Sequence, residues 1–144
     1  MKRKSEKARA WNWCSKYIRL RDAVACHKAH PGRPFGGVAC CTCGRVVVWD
    51  KNCDAGHFIS RGMGGSSGVY FDERNIHAQC KLCNGFEGGR PHEYEQFMLD
   101  KYGQETIDEL RFLHKNRLIT HRDVSGYELY YKEAYKELKK NISE

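Results

Sequence analysis

Apolar positions along residues 6–25 recur at helical spacing. At about 100° per residue, Trp11, Cys14, Tyr17, Ile18, Leu20, Val24 and Ala25, with Ala10 and Trp13, share one arc of roughly half the circumference. Arg9, Asn12, Lys16 and Arg19 share the opposite face. The pattern predicts a helix with its apolar arc in a core and a basic stripe on the other side. Pro31-Gly32-Arg33-Pro34 and Gly36-Gly37 then interrupt any helix. Arg45–Trp49 is rich in β-formers, Asp50-Lys51-Asn52 is a turn, and Asp54–Ile59 reads as the returning strand of a hairpin. The run from Gly62 to Gly68 reads as a flexible connection, open to a close approach of DNA or simply a link. Beyond it the period is helical again. Pro91 suits a first turn, Tyr94, Phe97, Met98 and Tyr102 share a face, and Gly103 is a stop. A second helix carries Ile107, Leu110 and Leu113 or His114. A capping box of Ser125 and Glu128 opens a final amphipathic helix with Tyr127, Tyr131, Ala134 and Leu138. There is no internal repeat. Three segments result: 1–38, a basic helix and its connector; 39–90, a central core; and 91–144, a helical region.

Composition narrows the class. The chain has 144 residues, 40% hydrophobic and 30% charged, which fits one compact domain, or one small core with helical extensions, and not wholesale disorder. The longest strongly apolar run is Val46–Trp49, far short of the ~20 residues of a membrane-spanning helix. The start, Met1 to Lys7, leads into no signal-peptide hydrophobic region. No membrane partner is expected, and a cytoplasmic location is. The net charge of +7 is concentrated: residues 1–33 hold ten Lys and Arg against two acidic residues. That footprint fits either a nucleic-acid partner or a solvated tail. The stripe of Arg9, Lys16 and Arg19 is the candidate phosphate-tracking surface.

Eight cysteines in an intracellular chain point to metal binding or burial rather than disulfides. Cys40 and Cys43 form one C-x-x-C, and Cys80 and Cys83 another, with 36 residues between the pairs. Each pair closes a knuckle presenting two thiolates, and two knuckles complete a tetrahedral zinc site. A redox C-x-x-C would be single and would open a helix. Cys14 reads as core, and Cys41 and Cys53 have no second partner at ligand spacing. Cys26-His27-Lys28-Ala29-His30 reads as a polar loop rather than a metal site.

Between and beside the knuckles lie groups that a structural zinc does not require: Asp54, His57 and Asn75 before the second knuckle, and Asn84 directly after Cys83. Phosphodiester hydrolysis requires such groups. It uses a hard divalent ion on oxygen ligands, Mg²⁺ or Mn²⁺, and a base near neutrality, for which histidine is suited.

These residues, in this order, resemble a known family. Cys40-x-x-Cys43, Asp54-Ala55-Gly56-His57-Phe58, Ser60-Arg61-Gly62 and Asn75-Ile76-His77-x-Gln79-Cys80-x-x-Cys83-Asn84 look like the Rap/NinG recombination nucleases of lambdoid phages. Tyr17-Ile18-Arg19-Leu20-Arg21-Asp22 matches that family's N-terminal helix. More distantly, Asp54-x-x-His57 with Cys80–Gly88 is similar to the endonuclease VII resolvases of T-even phages. The resemblance implies an α+β fold: a small zinc-pinned ββα-metal (HNH, or His-Me finger) core flanked by N- and C-terminal helices. It implies a structure-specific endonuclease acting on branched DNA such as Holliday junctions and D-loops, and leaving a 5′-phosphate and a 3′-hydroxyl. Asp54 and Asn84 would hold the catalytic Mg²⁺ or Mn²⁺, His57 would be the general base, and Asn75 would brace the loop that aims it. Glu87 would assist the metal, and Arg61 would join Arg9, Lys16 and Arg19 in contacting DNA. Phage or host recombination proteins are candidate partners.

Two departures bear on those roles. Asn84 stands where a standard HNH motif has its last histidine, and Gly56 where many carry a metal-binding acid or histidine. Asp54 must therefore reach the ion from three residues before His57. In the other arrangement His57 is a ligand and His77 the base. Symmetric cutting of a four-armed junction favours a two-fold dimer, with the aromatic last helix serving as its seam or simply as core. The remaining alternatives are an HNH endonuclease of ordinary duplex DNA and a zinc-knuckle DNA-binding protein without catalysis.

Overall fold

A computed structural model describes residues 5–60 and 67–143. Arg61 and the glycine-rich run through residue 66 lie outside them. The first helix, α1, spans Glu6–Ala29. Ser5 caps it by accepting a hydrogen bond from the Ala8 N–H at 3.2 Å, and Glu6 adds an acidic first turn. The predicted apolar arc is buried at Ala10, Cys14, Ile18 and Leu20, but its far end departs: Ala25 is exposed and Ala23 is buried in its place. The helix runs four residues beyond the predicted end. Cys26–Ala29 form its last turn rather than a polar loop, because no breaker precedes Pro31. The His30 N–H closes that turn on the Cys26 and His27 carbonyls, and the His27 ring packs edge-on against Phe35.

The predicted hairpin between residues 45–49 and 54–59 does not form. Instead β1 (Gly37–Ala39) pairs antiparallel with β2 (Val46–Val48), and β3 (Cys53–His57) with β4 (Ile76–Cys80). The first knuckle turn is the reason. It returns the chain directly onto β1, with the Cys40 N–H bonding the Arg45 carbonyl at 2.8 Å, so β2 meets a local partner first. Gly44, at φ 78°, supplies the left-handed residue the turn needs. β3 is then left for the strand delivered by the short helical turn Glu73–Asn75.

The outer edge of β4 is closed by α1. Arg21 donates to the Glu73 carbonyl at 3.0 Å and to the Ile76 carbonyl at 2.8 Å. Asp22 accepts from the Ala78 N–H at 2.7 Å, and the Cys41 N–H from the knuckle reaches the Ala78 carbonyl at 3.0 Å. Two adjacent helix residues and one knuckle residue thus satisfy backbone groups that an edge strand leaves unpaired. Arg21→Ala strands these carbonyls and the Asp22 carboxylate together. It is expected to destabilise the protein by about 2–4 kcal/mol in urea unfolding.

Three further helices follow among the described residues. α2 (Pro91–Lys101) and α3 (Gln104–Asn116) share a core of Tyr94, Met98, Ile107 and Leu110 with Val69. Gly103, at φ 95°, breaks the chain between them as predicted. α4 (His121–Ser143) lies along α1. Tyr131 and Val124 pack with Cys14, Ile18, Phe71, Ile76 and Ala55 in the main core, and the Tyr131 hydroxyl donates to the Phe71 carbonyl. The capping box that opens α4 is not Ser125 with Glu128 but Thr120 with Asp123. The Thr120 N–H bonds Asp123 Oδ2 at 2.9 Å, and the Asp123 N–H bonds Thr120 Oγ1 at 3.2 Å. Ser125 and Glu128 lie inside the helix and bridge to α1, Ser125 to Glu6 and Glu128 to Arg9 at 3.0 Å. Among the described residues, no helix is long and apolar enough to cross a membrane.

Candidate functional site

The four knuckle cysteines converge. The Sγ atoms of Cys40, Cys43, Cys80 and Cys83 all lie within 4.8 Å of one another. Four thiolates bonded tetrahedrally to zinc at about 2.3 Å stand about 3.8 Å apart, and Cys43 Sγ lies 3.8 Å from Cys80 Sγ. The donor set and its spacing therefore fit a metal ion such as zinc. Burial opposes ionisation of Cys40, but the Thr42 hydroxyl at 3.3 Å and nearby backbone N–H groups outweigh it and bring the thiol down to about 6. Burial pushes Cys83 up to about 12, so its thiolate calls for a cation beside it. Cys53 is pushed up to about 11 by burial, and Cys14 and Cys41 further still. These three remain thiols, as the absence of ligand spacing around them predicts.

The cluster ties the β1–β2 knuckle to the end of β4 and to the π-helical turn Leu82–Phe86 that follows it. That turn carries Asn84 toward β3. Strand alternation puts Asp54 and Gly56 on the face that meets Asn84, and Ala55 and His57 on the face toward α1. Asn84 Nδ2 donates to Asp54 Oδ2 at 3.1 Å, and the exposed Lys81 pairs with Asp54 Oδ1 at 2.7 Å. Around the open edge of β3 runs a cleft of about 290 Å³ lined by Ala55, His57, Ser60, Asn84, Gly88 and Gly89. Gly88 and Gly89 take φ values of 61° and 86°, which a side chain would strain. Asp54, Asn84 and the cleft are thus brought together from sequence positions thirty residues apart. Glu87, the C-cap of the turn, is exposed and directly precedes Gly88 in the chain.

His57 ends β3 with its ring stacked between Trp11, at 4.8 Å, and Tyr70, at 4.9 Å. Its Nε2 lies 2.8 Å from the Tyr70 carbonyl. A carbonyl accepts only, so Nε2 carries the proton and the basic lone pair is on Nδ1. Asn75, fully buried, holds the segment that follows. Its Oδ1 accepts from the Ile59 N–H at 2.8 Å, and its Nδ2 donates to the Ile59 and Val69 carbonyls, each at 3.1 Å.

His77 is not brought to the cleft. It is buried against α2, within a directional hydrogen-bond chain. The Tyr94 hydroxyl donates to the Gly56 carbonyl at 2.6 Å, so His77 Nδ1–H donates to Tyr94 at 3.1 Å, and His77 Nε2 accepts from Tyr102 at 2.7 Å. Desolvation, with Arg21 and Lys101 adding to it, lowers His77 to about 2. It is a neutral structural residue, a poor fit to the alternative that makes it the base. The unfolded chain takes up a proton here below about pH 6.5 and the folded chain does not. Stability therefore falls as pH drops from about 6.5 towards 2, by about 1.4 kcal/mol per unit from this residue. Between pH 6.5 and 4.5, urea unfolding is expected to show about 2–3 kcal/mol of loss that His77→Gln abolishes.

The basic stripe is partly engaged within the protein. Arg9 pairs with Glu128, Lys16 lies over the Trp13 ring, and Arg19 bonds Ser15 and the Trp49 carbonyl. Sequence reasoning passed over Trp11, Tyr70, Lys81 and Gln79. Periodicity put Trp11 in the core arc, and nothing local marks the other three.

Fold and site together define a mixed α+β protein with two small two-stranded sheets and a four-cysteine cluster able to hold a metal such as zinc. Residues 2–141 match the family model described as Bacteriophage Lambda NinG protein, and the chain belongs to the NinG family. It is 31% identical over 105 residues to protein ninG of Escherichia phage 933W, and 30% identical over 105 residues to those of Salmonella phage P22 and Escherichia phage lambda. Each alignment covers 73% of this chain and 50% of the relative, so the chain spans about half the length of the curated relatives it matches. No solved structure matches it.

Proposed function

We propose that this protein is a metal-dependent endonuclease of the HNH, or ββα-metal, type that hydrolyses phosphodiesters in branched DNA, including Holliday junctions and D-loops. The observation that carries the reading is the hydrogen bond of Asp54 with Asn84, a residue that lines one cleft together with His57. A carboxylate and an amide oxygen are the hard donors suited to Mg²⁺ or Mn²⁺. When bound, that ion would neutralise charge developing on the phosphate and the leaving oxygen. His57, with its proton held on Nε2 by the Tyr70 carbonyl, accepts a proton from the attacking water at Nδ1. The water oxygen bonds to phosphorus, the bond to the 3′ oxygen breaks with its electron pair, and that oxygen takes a proton from solvent, so that a 5′-phosphate and a 3′-hydroxyl result. Asn75 holds the backbone beyond His57, and Glu87, next to Gly88 of the cleft in the chain, would assist the ion. A zinc ion in the four-cysteine cluster pins the turn that presents Asn84. Arg9, Lys16, Arg19 and Arg61 contact phosphates.

A preference for branches fits a basic surface without a base-reading element, since a junction is distinguished by shape and phosphate placement. The test compares a labelled four-way junction with linear duplex of the same sequence, with Mg²⁺, Mn²⁺ or EDTA. Metal-dependent cuts confined to the branch are expected. Equal cutting of both substrates would make it a general HNH nuclease. Binding without cutting by the zinc-loaded protein would leave a DNA-binding module.

A further inference from the structure

Gln79 is fully buried, yet its Oε1 has no hydrogen-bond partner. The orientation of the amide is dictated by its surroundings. Nε2 donates to the Gly89 carbonyl at 2.8 Å and to Thr42 Oγ1 at 3.1 Å, and a carbonyl cannot face an amide oxygen. Oε1 therefore points the other way, onto the face of β3 that carries Gly56. A Cβ on Gly56 would fall inside van der Waals contact with Gln79 Oε1 and 3.1 Å from Asn84 Oδ1. Across the strands Gln79 is the register partner of Asp54, whose carboxylate accepts from the Asn84 amide. One face of the hairpin thus carries two amide oxygens and a carboxylate, and the Gln79 oxygen takes the space that a side chain at residue 56 would fill. A buried, unpartnered amide oxygen costs about 1–3 kcal/mol, which a cation or its bound water would relieve.

Building on the ion site proposed above, we propose that Gln79 is a further oxygen ligand of the divalent ion at Asp54 and Asn84, contributed from β4 in place of residue 56. This accounts for a glycine directly before His57: any side chain there would displace the Gln79 amide. It also joins the ion site to the cysteine cluster, since the same amide bonds Thr42, whose hydroxyl lies against Cys40 Sγ.

The test is Mn²⁺ binding to the zinc-loaded protein, read by electron paramagnetic resonance without DNA, for wild type, Asp54→Asn, Gln79→Met and Gln79→Glu. Both Gln79 variants lose the donors to Thr42 and Gly89, but only glutamate keeps an oxygen at the same reach. Gln79→Met is expected to weaken Mn²⁺ at least tenfold and Gln79→Glu to retain it, at equal zinc content. Equal weakening in both, or no weakening in either while Asp54→Asn abolishes binding, overturns the ligand role and leaves the ion site standing. Wild type and Asp54→Asn binding alike overturns the ion site, and the Gln79 ligand with it. A second readout uses only the unmodified protein. On Mg²⁺ titration the Gln79 carboxamide carbon resonance should shift in step with that of Asn84, and a static Gln79 beside a shifting Asn84 overturns the inference.

Discussion

Cys80→Ser is expected to unfold the centre of the protein. Cys80 closes both the four-sulfur cluster and the first pair of the β3–β4 ladder, where it faces Cys53. A four-thiolate zinc site contributes on the order of 10 kcal/mol to folding, comparable to the whole stability of a domain this size. Serine keeps the shape but offers no soft anionic ligand. The variant should lose its zinc by elemental analysis and its cooperative thermal transition together, and chelation of the unmodified protein should do the same more slowly. An unchanged melting temperature and zinc content would refute the cluster as a metal centre.

The second large effect is on catalysis. His57→Ala should lower the single-turnover rate of junction cleavage by about 10²–10⁴-fold while leaving zinc content and junction affinity near those of the parent. Losing the ring stacked between Trp11 and Tyr70 should also cost roughly 1–2 kcal/mol of stability. His57→Gln, which refills part of that space and can still donate to the Tyr70 carbonyl, separates the two effects. Recovery of stability without recovery of rate marks the imidazole as the proton acceptor. Equal turnover by the alanine variant would end that assignment.

The helices were largely legible because their signals are local. Pro91 and Gly103 mark ends through backbone chemistry that acts within one turn, and most of the α1 arc is buried where its period places it. The last helix shows the limit of such signals. Ser125 and Glu128 have the spacing of a cap, but Thr120 and Asp123, five residues earlier, satisfy the orphan N–H groups first. Ser125 and Glu128 are then free to bridge to α1. The strands were half legible. Their β-rich residues were evident, but pairing is a competition between partners. The knuckle turn gave β2 a neighbour only a few residues away, which the strand pattern alone could not weigh.

The spacing of Cys40, Cys43, Cys80 and Cys83 by itself determined the four-cysteine cluster, because a two-residue separation fixes how two thiols can meet one ion whatever surrounds them. The order of Asp54, His57, Asn75 and Asn84 nominated the cleft. Only the tertiary structure decided which of two histidines, His57 or His77, reaches it. Residues 57 and 77 sit in paired strands and carry the same imidazole. One is at the end of β3 beside the cleft, and the other is sealed under Tyr94 and Tyr102 and held neutral. Desolvation and hydrogen-bond direction are properties of the packed environment, and α2, which supplies them, is remote from both histidines along the chain. The same holds for Arg21 and Asp22, which stood out only as part of the stretch matching the family's N-terminal helix and which close the edge of a sheet.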